Sequence, residues 1–317
     1  MSSYPPVAGP DPHEHPLLGE LLSSLRARFH AAPCAALVYG SCLRSGNIYD
    51  GLLDIYLICD SYRSAYRSSL PAAANWLLPP NVYYAEQPGP AAGEGNRTLR
   101  AKVTVISLRD FRRGCSGSWF ESYIWGRFAQ PTHLLYARDA AVRADIERAL
   151  LNAGHTLLCR ALPALPDEGT LAALWEQALA LSYATELRTE RSGRAGELVR
   201  EAHDFYAAVT RRHAGAIGHG FHLVEGPGGT TYVSAPSATS RRIAKLSWAL
   251  RRAQGKLLSI LRLLKGLFTF DGGLDYIAWK LERHSGETIE IPDKVRRAPL
   301  LHLWGFFWGL YKRGIFR

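Results

Sequence analysis

Apolar residues recur at Leu17, Leu18, Leu21, Leu22, Leu25 and Phe29. That spacing of three and four predicts a helix over residues 17–30, and Pro33 ends it. Residues 35–39 are a short apolar run that stops at Gly40-Ser41, followed by a polar loop over 44–51. A second apolar run, 52–59, is interrupted only by Asp54 and predicts a buried strand. Residues 60–70 predict a returning helix, 82–86 and 98–107 two more strands, and 87–97 a loop rich in Pro and Gly. Further helices are expected within 108–120 and 124–128. From about 139 the period is helical, with helices expected over 139–160, 170–188 and 195–213 and a small hairpin around Tyr232 and Val233. The pattern is that of an α+β chain whose strand-rich part precedes a mostly helical one, with a boundary near 163–166. Residues 1–16, with five prolines, read as a disordered leader.

Length and composition add a core and exclude disorder. The 317 residues are 47% hydrophobic and 21% charged, unlike a chain too polar to fold. The net charge of +10 is unevenly placed: residues 1–240 carry 22 Lys+Arg and 22 Asp+Glu, residues 241–317 carry 16 and 6. A neutral body with a basic end points to a polyanion, either an anionic membrane or a nucleic acid.

The apolar pattern of that end favours the membrane. Over 245–268, Leu246, Ala249, Leu250, Ala253, Leu257, Ile260, Leu261, Leu264 and Phe268 share one helical side, and Lys245, Arg251, Arg252, Lys256, Arg262 and Lys265 the other. Such a helix suits a membrane interface, or a core-packed helix with a solvated face. Farther on, Leu300, Leu301, Leu303, Trp304, Phe306, Phe307, Trp308 and Tyr311 are flanked by Arg296-Arg297 and Lys312-Arg313, as at a headgroup boundary. A nucleic-acid partner is not expected. No apolar run reaches the roughly 18 residues of a spanning helix, and no basic start precedes an apolar run as in a secretory signal. The cysteines, Cys34, Cys42, Cys59, Cys115 and Cys159, are odd in number with no C-x-x-C pair, which suits reduced thiols. The expected location is the cytoplasmic face of a membrane, held peripherally.

Candidate chemistry concentrates in residues 37–60. A strand leads into Gly40-Ser41, a loop follows, and an acid sits inside the next apolar strand, Asp54, thirteen positions after Ser41. A carboxylate in an apolar strand is costly unless it is hydrogen-bonded or on a metal, and glycine lets backbone approach phosphate closely. This is the layout of the DNA polymerase β-type nucleotidyltransferases, in which the Gly-Ser turn holds a triphosphate and the strand acid holds Mg²⁺. Most members carry a second acid two residues on, where this chain has Tyr56. Asp60, Glu86 and Asp110 are the candidates to replace it. Lys102, in an apolar strand, reads as a phosphate contact or as half of a structural ion pair.

A narrower resemblance follows from Tyr39-Gly40-Ser41, the span from Asp54 to Asp60, Val82-Tyr83-Tyr84, Lys102 with Val105-Ile106-Ser107, Leu181-Ser182-Tyr183 followed by Arg188, and Trp119, Tyr123, Ile124, Gly126, Arg127 and Pro131. The last string carries six identities at fixed spacing. Over residues 35–215, and again at Lys265-Gly266, the chain resembles the mitochondrial-type CDP-diacylglycerol synthases, phosphatidate cytidylyltransferases of the translocator-assembly-and-maintenance type, which also occur in bacteria. The family shares the missing second acid. The resemblance implies a nucleotidyltransferase domain (17–165), a winged-helix-like helical domain (166–240) and a membrane-associating region (241–317). It implies that CTP and phosphatidate give CDP-diacylglycerol and diphosphate with Mg²⁺. On this reading Asp54 and Lys102 are catalytic. Tyr39, Gly40, Ser41, Arg127, Tyr183 and Arg188 bind nucleotide, and Asp54, Asp60 and Glu86 hold metal. The other readings are a nucleotidyltransferase with a different acceptor and a catalytically degenerate binding module.

Overall fold

The strand Leu53–Cys59 is buried at every position except Asp54, so it lies inside a sheet covered on both faces. The computed structural model describes residues 4–89, 97–187, 193–227, 229–269 and 289–297, with isolated positions between 302 and 309. The elements run α1 (Pro16–Arg28), β1 (Ala35–Tyr39), α2 (Ser41–Ser45), β2 (Leu53–Cys59), α3 (Tyr62–Ala65), α4 (Ser69–Leu77), β3 (Asn81–Gln87), β4 (Leu99–Ser107), α5 (Leu108–Gly114), α6 (Trp125–Phe128) and β5 (Thr132–Ala137). There follow α7 (Ala140–Ala161), β6 (Glu168–Thr170), α8 (Leu171–Tyr183), α9 (Arg194–Glu201), α10 (His203–His213), β7 (His222–Gly226), β8 (Gly229–Val233) and α11 (Ala238–Thr269).

The chain is α+β. Its main sheet is mixed, in the order β3-β4-β2-β1-β5, with β2 and β4 parallel and the other pairs antiparallel. Alternation along the strands divides the apolar residues between two cores. Ala36, Val38, Leu53, Ile55, Leu57, Val103 and Val105 face α1 through Leu18, Leu21, Leu22 and Leu25. Leu37, Tyr56, Ile58 and Ile106 face the helical part through Phe111, Trp125 and Phe128. This second core continues without a break through α7 and α8 to Tyr206 of α10 and Trp248 of α11. A small sheet, β6-β8-β7, lies beside the later helices.

Several expectations need correction. The helix expected over 60–70 is two helices, α3 and α4, broken at an extended Tyr66. The break turns the Tyr66 hydroxyl toward Asn75 and Asn81, whose amide groups donate to it at 3.1 and 3.2 Å. Edge strand β5 is half-buried and lacks clean alternation, so no period marks it. The stretch 195–213 breaks at Ala202 into α9 and α10. The leader is packed rather than disordered from Tyr4 onward. The Tyr4 hydroxyl accepts from the Thr132 amide at 3.2 Å, its ring meets Phe205 edge-on, and the Val7 carbonyl lies 2.8 Å from His133 Nδ1.

The long helix α11 turns three of its cations, Arg251, Arg262 and Lys265, toward the protein, while Arg242, Lys245 and Lys256 are exposed. Trp248 and Arg251 are 1% and 2% exposed, and the Arg251 guanidinium lies over the Phe120 ring at 4.4 Å. Gly255 passes so close to Thr185 that a Cβ would sit 2.4 Å from its carbonyl oxygen. The segment 298–317, apart from isolated positions, and Arg188 lie outside the described residues. Among those described, no helix is long and apolar enough to cross a membrane. All five cysteines are free.

Asn75, fully buried, joins α4 to the sheet. Its amide group donates to the Val105 carbonyl at 3.1 Å and its oxygen accepts from the Asn81 amide at 2.9 Å. Asn75→Ala strands both backbone groups away from water. Urea unfolding should record a loss of roughly 3 kcal/mol, whereas a loss within experimental error would contradict this role.

Candidate functional site

Pairing across the sheet sets Thr132, Tyr39, Asp54, Lys102 and Tyr84 in one row, one residue from each strand. Paired residues point to the same face, so the row rims the face that meets the helical half. Lys102 Nζ stands 3.7 Å from Asp54 Oδ1, with both side chains about one-quarter exposed, at 27% and 26%. Asp54 is thus the one position of β2 open to solvent, and it has a cation beside it.

Gly40 keeps the space before that carboxylate clear. Its φ is 94°, and an added Cβ would lie 2.9 Å from Asp54 Oδ2. Any side chain there is strained by the backbone and collides with the carboxylate. Ser41, exposed, opens α2 immediately beyond. Cys42, also on α2, donates its thiol to the Asp50 and Leu52 carbonyls, both at 3.3 Å, which ties the turn to the strand bearing Asp54.

The segment 119–131 supplies the wall opposite. Gly126 of α6 lies against α8 so closely that a Cβ would be 1.8 Å from Ser182 Oγ. Ser122 and Thr185 share a hydrogen bond of 2.7 Å across the same contact. This places Arg127 beside Glu186. Its Nη2 donates to both carboxylate oxygens at 3.1 and 3.0 Å, and its Nη1 lies 3.5 Å from the Tyr56 hydroxyl. The Arg127 side chain is 3% exposed. Burial works against its charge, but Glu186 outweighs it and raises the guanidinium pKa. Arg127 is committed to a buried ion pair rather than presented to a ligand.

Tyr123 lies between two such guanidiniums. Arg127 is 4.1 Å from its ring centroid and Arg262 of α11 is 4.2 Å. Arg262 is itself clamped by Glu121 at 2.6 and 2.7 Å, and its Nε donates to the Pro79 carbonyl at 3.0 Å. Burial opposes ionisation of the Tyr123 phenol, but Arg127, Lys102 and Arg262 together hold its pKa below the ordinary tyrosine value. Lys102, Tyr123, Arg127 and Arg262 therefore share one electrostatic neighbourhood, in which each cation already has a carboxylate partner: Asp54 for Lys102, Glu186 for Arg127 and Glu121 for Arg262.

Other expected site residues lie elsewhere. Asp60 is six residues beyond Asp54 along the strand, about 20 Å away. It pairs with Arg138 at 2.7 Å at the opposite end of the sheet, so it does not join Asp54. Glu86 shares the face of Asp54 but lies two strands across, roughly 10 Å. The Tyr84 hydroxyl donates to it, and Arg100 pairs with it at 3.4 Å. Asp110 is 5% exposed and accepts no role near Asp54, being the acid of the first turn of α5. Tyr39 is 6% exposed, packed edge-on against Tyr56 at 5.6 Å. Tyr183 is half-buried against the main core. Among the described residues no three His, Cys, Asp or Glu side chains form a metal cluster.

Glu121, Glu186 and Arg262 were missed from sequence. Glu121 lies inside the Trp119–Pro131 string, and an acid within a conspicuously aromatic segment was the available signal. Arg262 was read as one of six equivalent cations.

Two predictions follow from the buried charges. Glu186→Ala leaves Arg127 buried without its carboxylate, and denaturation should show a loss of about 3–5 kcal/mol. The double change Arg127→Met, Glu186→Leu should recover most of it. Lys265 Nζ donates to the Leu78 and Pro80 carbonyls at 2.5 and 2.7 Å. Burial, reinforced by Arg262, pushes its pKa down from 10.5 to about 7. Between those values unfolding takes up a proton at this residue, so its contribution to stability rises with pH. Wild type should gain on Lys265→Met between pH 7 and 10 in parallel urea titrations; a constant difference would contradict the shift. No protein-family model matches the chain, and no curated protein matches it.

Proposed function

We propose that the protein is a nucleotidyltransferase that transfers a cytidylyl group from CTP to phosphatidate, forming CDP-diacylglycerol and diphosphate. The observation that carries this reading is the joint placement of Gly40, Asp54 and Lys102. A glycine that admits no side chain fronts a strand carboxylate, and a lysine stands 3.7 Å from it. The mixed sheet with α2 entering after Gly40 suits a polymerase β-type nucleotidyltransferase domain. Helices α8–α10 with the three-stranded β6-β8-β7 sheet suit a winged-helix-like domain. CTP and the lipid acceptor rest on the resemblance of residues 35–215.

The residues fit Mg²⁺ in a limited sense. Magnesium keeps several waters and takes one or two carboxylates together with substrate phosphates, and Asp54 supplies one carboxylate beside the space that Gly40 leaves open. Bound there, Mg²⁺ supplies neutralisation of phosphate charge. Asp60, paired with Arg138, lies too far along the strand to contribute.

The chemistry asks little else of the protein. A phosphate oxygen of phosphatidate is anionic near neutral pH, so no strong general base is needed. It forms a bond to the α-phosphorus of CTP as the α–β bridging bond breaks, and diphosphate leaves with the electron pair. Lys102 compensates the charge that gathers on the phosphates, and Asp54 orients that lysine. Ser41 and the Gly40 backbone line the approach of the triphosphate. Arg127 and Arg262, each held by a glutamate, fix Tyr123 at the rim without contacting substrate themselves.

A different acceptor, in a protein or RNA, would use the same catalytic groups; the apolar, basic α11 favours lipid. Release of diphosphate from CTP, dependent on phosphatidate and Mg²⁺, should occur with the wild type. Asp54→Asn should lower kcat by about 10³-fold. Absence of diphosphate release by the wild type contradicts the reading, and full activity in Asp54→Asn contradicts the placement of the site.

A further inference from the structure

At the end of the sheet away from Asp54, a cleft of about 590 Å³ opens between α5 and α7. Helical spacing builds both walls. Arg109, Arg112 and Arg113 stand at i, i+3 and i+4 on α5, and Asp145, Arg148 and Asn152 at i, i+3 and i+7 on α7, so each set shares one helical face. All four arginines are exposed. Asp145 lies 3.4 Å from Arg112 across the cleft and 2.8 Å from Arg148 on its own helix, so one carboxylate serves two guanidiniums. Buried Asp110 lies 3.5 Å from Arg109. Arg113 lies over the Trp119 ring, 5.3 Å from its centroid, a contact made through the guanidinium face that leaves its N–H edge able to donate. Asp60, the other acid lining the cleft, is paired with Arg138 at 2.7 Å. Four arginines against Asp145 and Asp110 leave two positive charges in excess.

We propose that this cleft is a second anion site, separate from the one around Asp54, and that it takes a compact ligand with adjacent phosphoryl groups, of the di- or triphosphate class. The proposal goes beyond nucleotidyl transfer and does not rest on it. Asp60 follows β2 directly and Leu108 follows β4, so the cleft lies outside the carboxyl ends of the two parallel strands, where open sheets commonly receive ligands. Asp54 is about 20 Å away along β2. Every cation lining the cleft is arginine, whose planar fork matches phosphate oxygens in pairs. One or two forks satisfy a single phosphoryl group, and four suit two or three groups in a row. The volume fits a ligand of nucleotide size. The forks converge on a cavity rather than run along a surface, which disfavours a nucleic-acid backbone. The anion would also act at a distance. Ser107 ends β4 and its Oγ accepts from the Asp110 amide at 3.1 Å, so α5 continues the strand that carries Lys102. A ligand held by Arg112 and Arg148 clamps that helix to α7.

The test is calorimetric titration of the full chain with sodium triphosphate, in EDTA and in a Lys102→Met background, so that the site around Asp54 has neither metal nor lysine to hold the probe. Triphosphate should bind at one equivalent and at least about tenfold more tightly than orthophosphate or sulfate. Arg112→Gln with Arg148→Gln should weaken it at least about tenfold. Arg109→Gln with Arg113→Gln, also at exposed positions, should do the same and gives a second reading if the first pair disturbs folding. Asp145→Asn removes the competing carboxylate and should tighten binding about threefold or more. Lys245→Gln with Lys256→Gln, on α11, should bind as the parent does. ATP binding as triphosphate does assigns recognition to the phosphates alone, and ATP binding about tenfold tighter assigns it to a nucleotide; both support the site. Orthophosphate equal to triphosphate, unchanged affinity in both arginine pairs, or a loss confined to the α11 pair overturns the proposal. None of these readouts requires catalysis, so a protein that fails to release diphosphate from CTP can still show the second site, and the reverse.

Discussion

Two desolvated ion pairs hold this protein in register, and one tyrosine ring lies between them. Arg127 with Glu186 joins the sheet half to the end of α8. Arg262 with Glu121 joins the same segment to α11. Both guanidiniums stack near 4 Å on Tyr123. Buried pairs of this kind contribute little net stability over apolar packing, yet breaking one is costly because the partner charge stays buried. They specify one arrangement of three chain segments and exclude slid or rotated alternatives. The rim around Asp54 and Lys102 depends on that arrangement, since neither is near Tyr123 in sequence.

Close backbone approaches complete it. Gly126 lets α6 reach Ser182, Gly255 lets α11 reach Thr185, and Gly40 lets β1 turn directly before Asp54. Each contact would be displaced by a single methyl group. The inward cations of α11 are a consequence of the same geometry. Carbonyls of residues 78–80 and the Glu121 carboxylate face that helix and require donors. The leucines are left outside, and the helix acquires an apolar exterior.

Local signals carried the fold far. The interrupted run 52–59 disclosed both a central strand and the one acid within it, Asp54. The helices α1, α7 and α8 followed from periodicity. Strand β5 did not, since a half-buried edge strand has no period to detect. Tyr66 broke an apparent helix through hydrogen bonds to Asn75 and Asn81, contacts that no local window contains. The pair Asp54 and Lys102 was legible as two polar residues in apolar strands, and their register across parallel β2 and β4 brings them together. Asp60 was misplaced because nearness in sequence along a strand is distance in space. The two faces of α11 were legible, but not which face meets the protein, because that depends on carbonyls and a carboxylate supplied from distant loops.

The central claim is that the groups around Asp54 move a nucleotidyl group onto a lipid phosphate. Tracing label from CTP tests it most directly, using α-³²P in one reaction and γ-³²P in another, with phosphatidate vesicles and Mg²⁺. The account predicts that α-label moves into the chloroform-extractable lipid while γ-label stays in the aqueous phase as diphosphate. Alpha label that remains aqueous, or that appears in protein or nucleic acid instead of lipid, would contradict it.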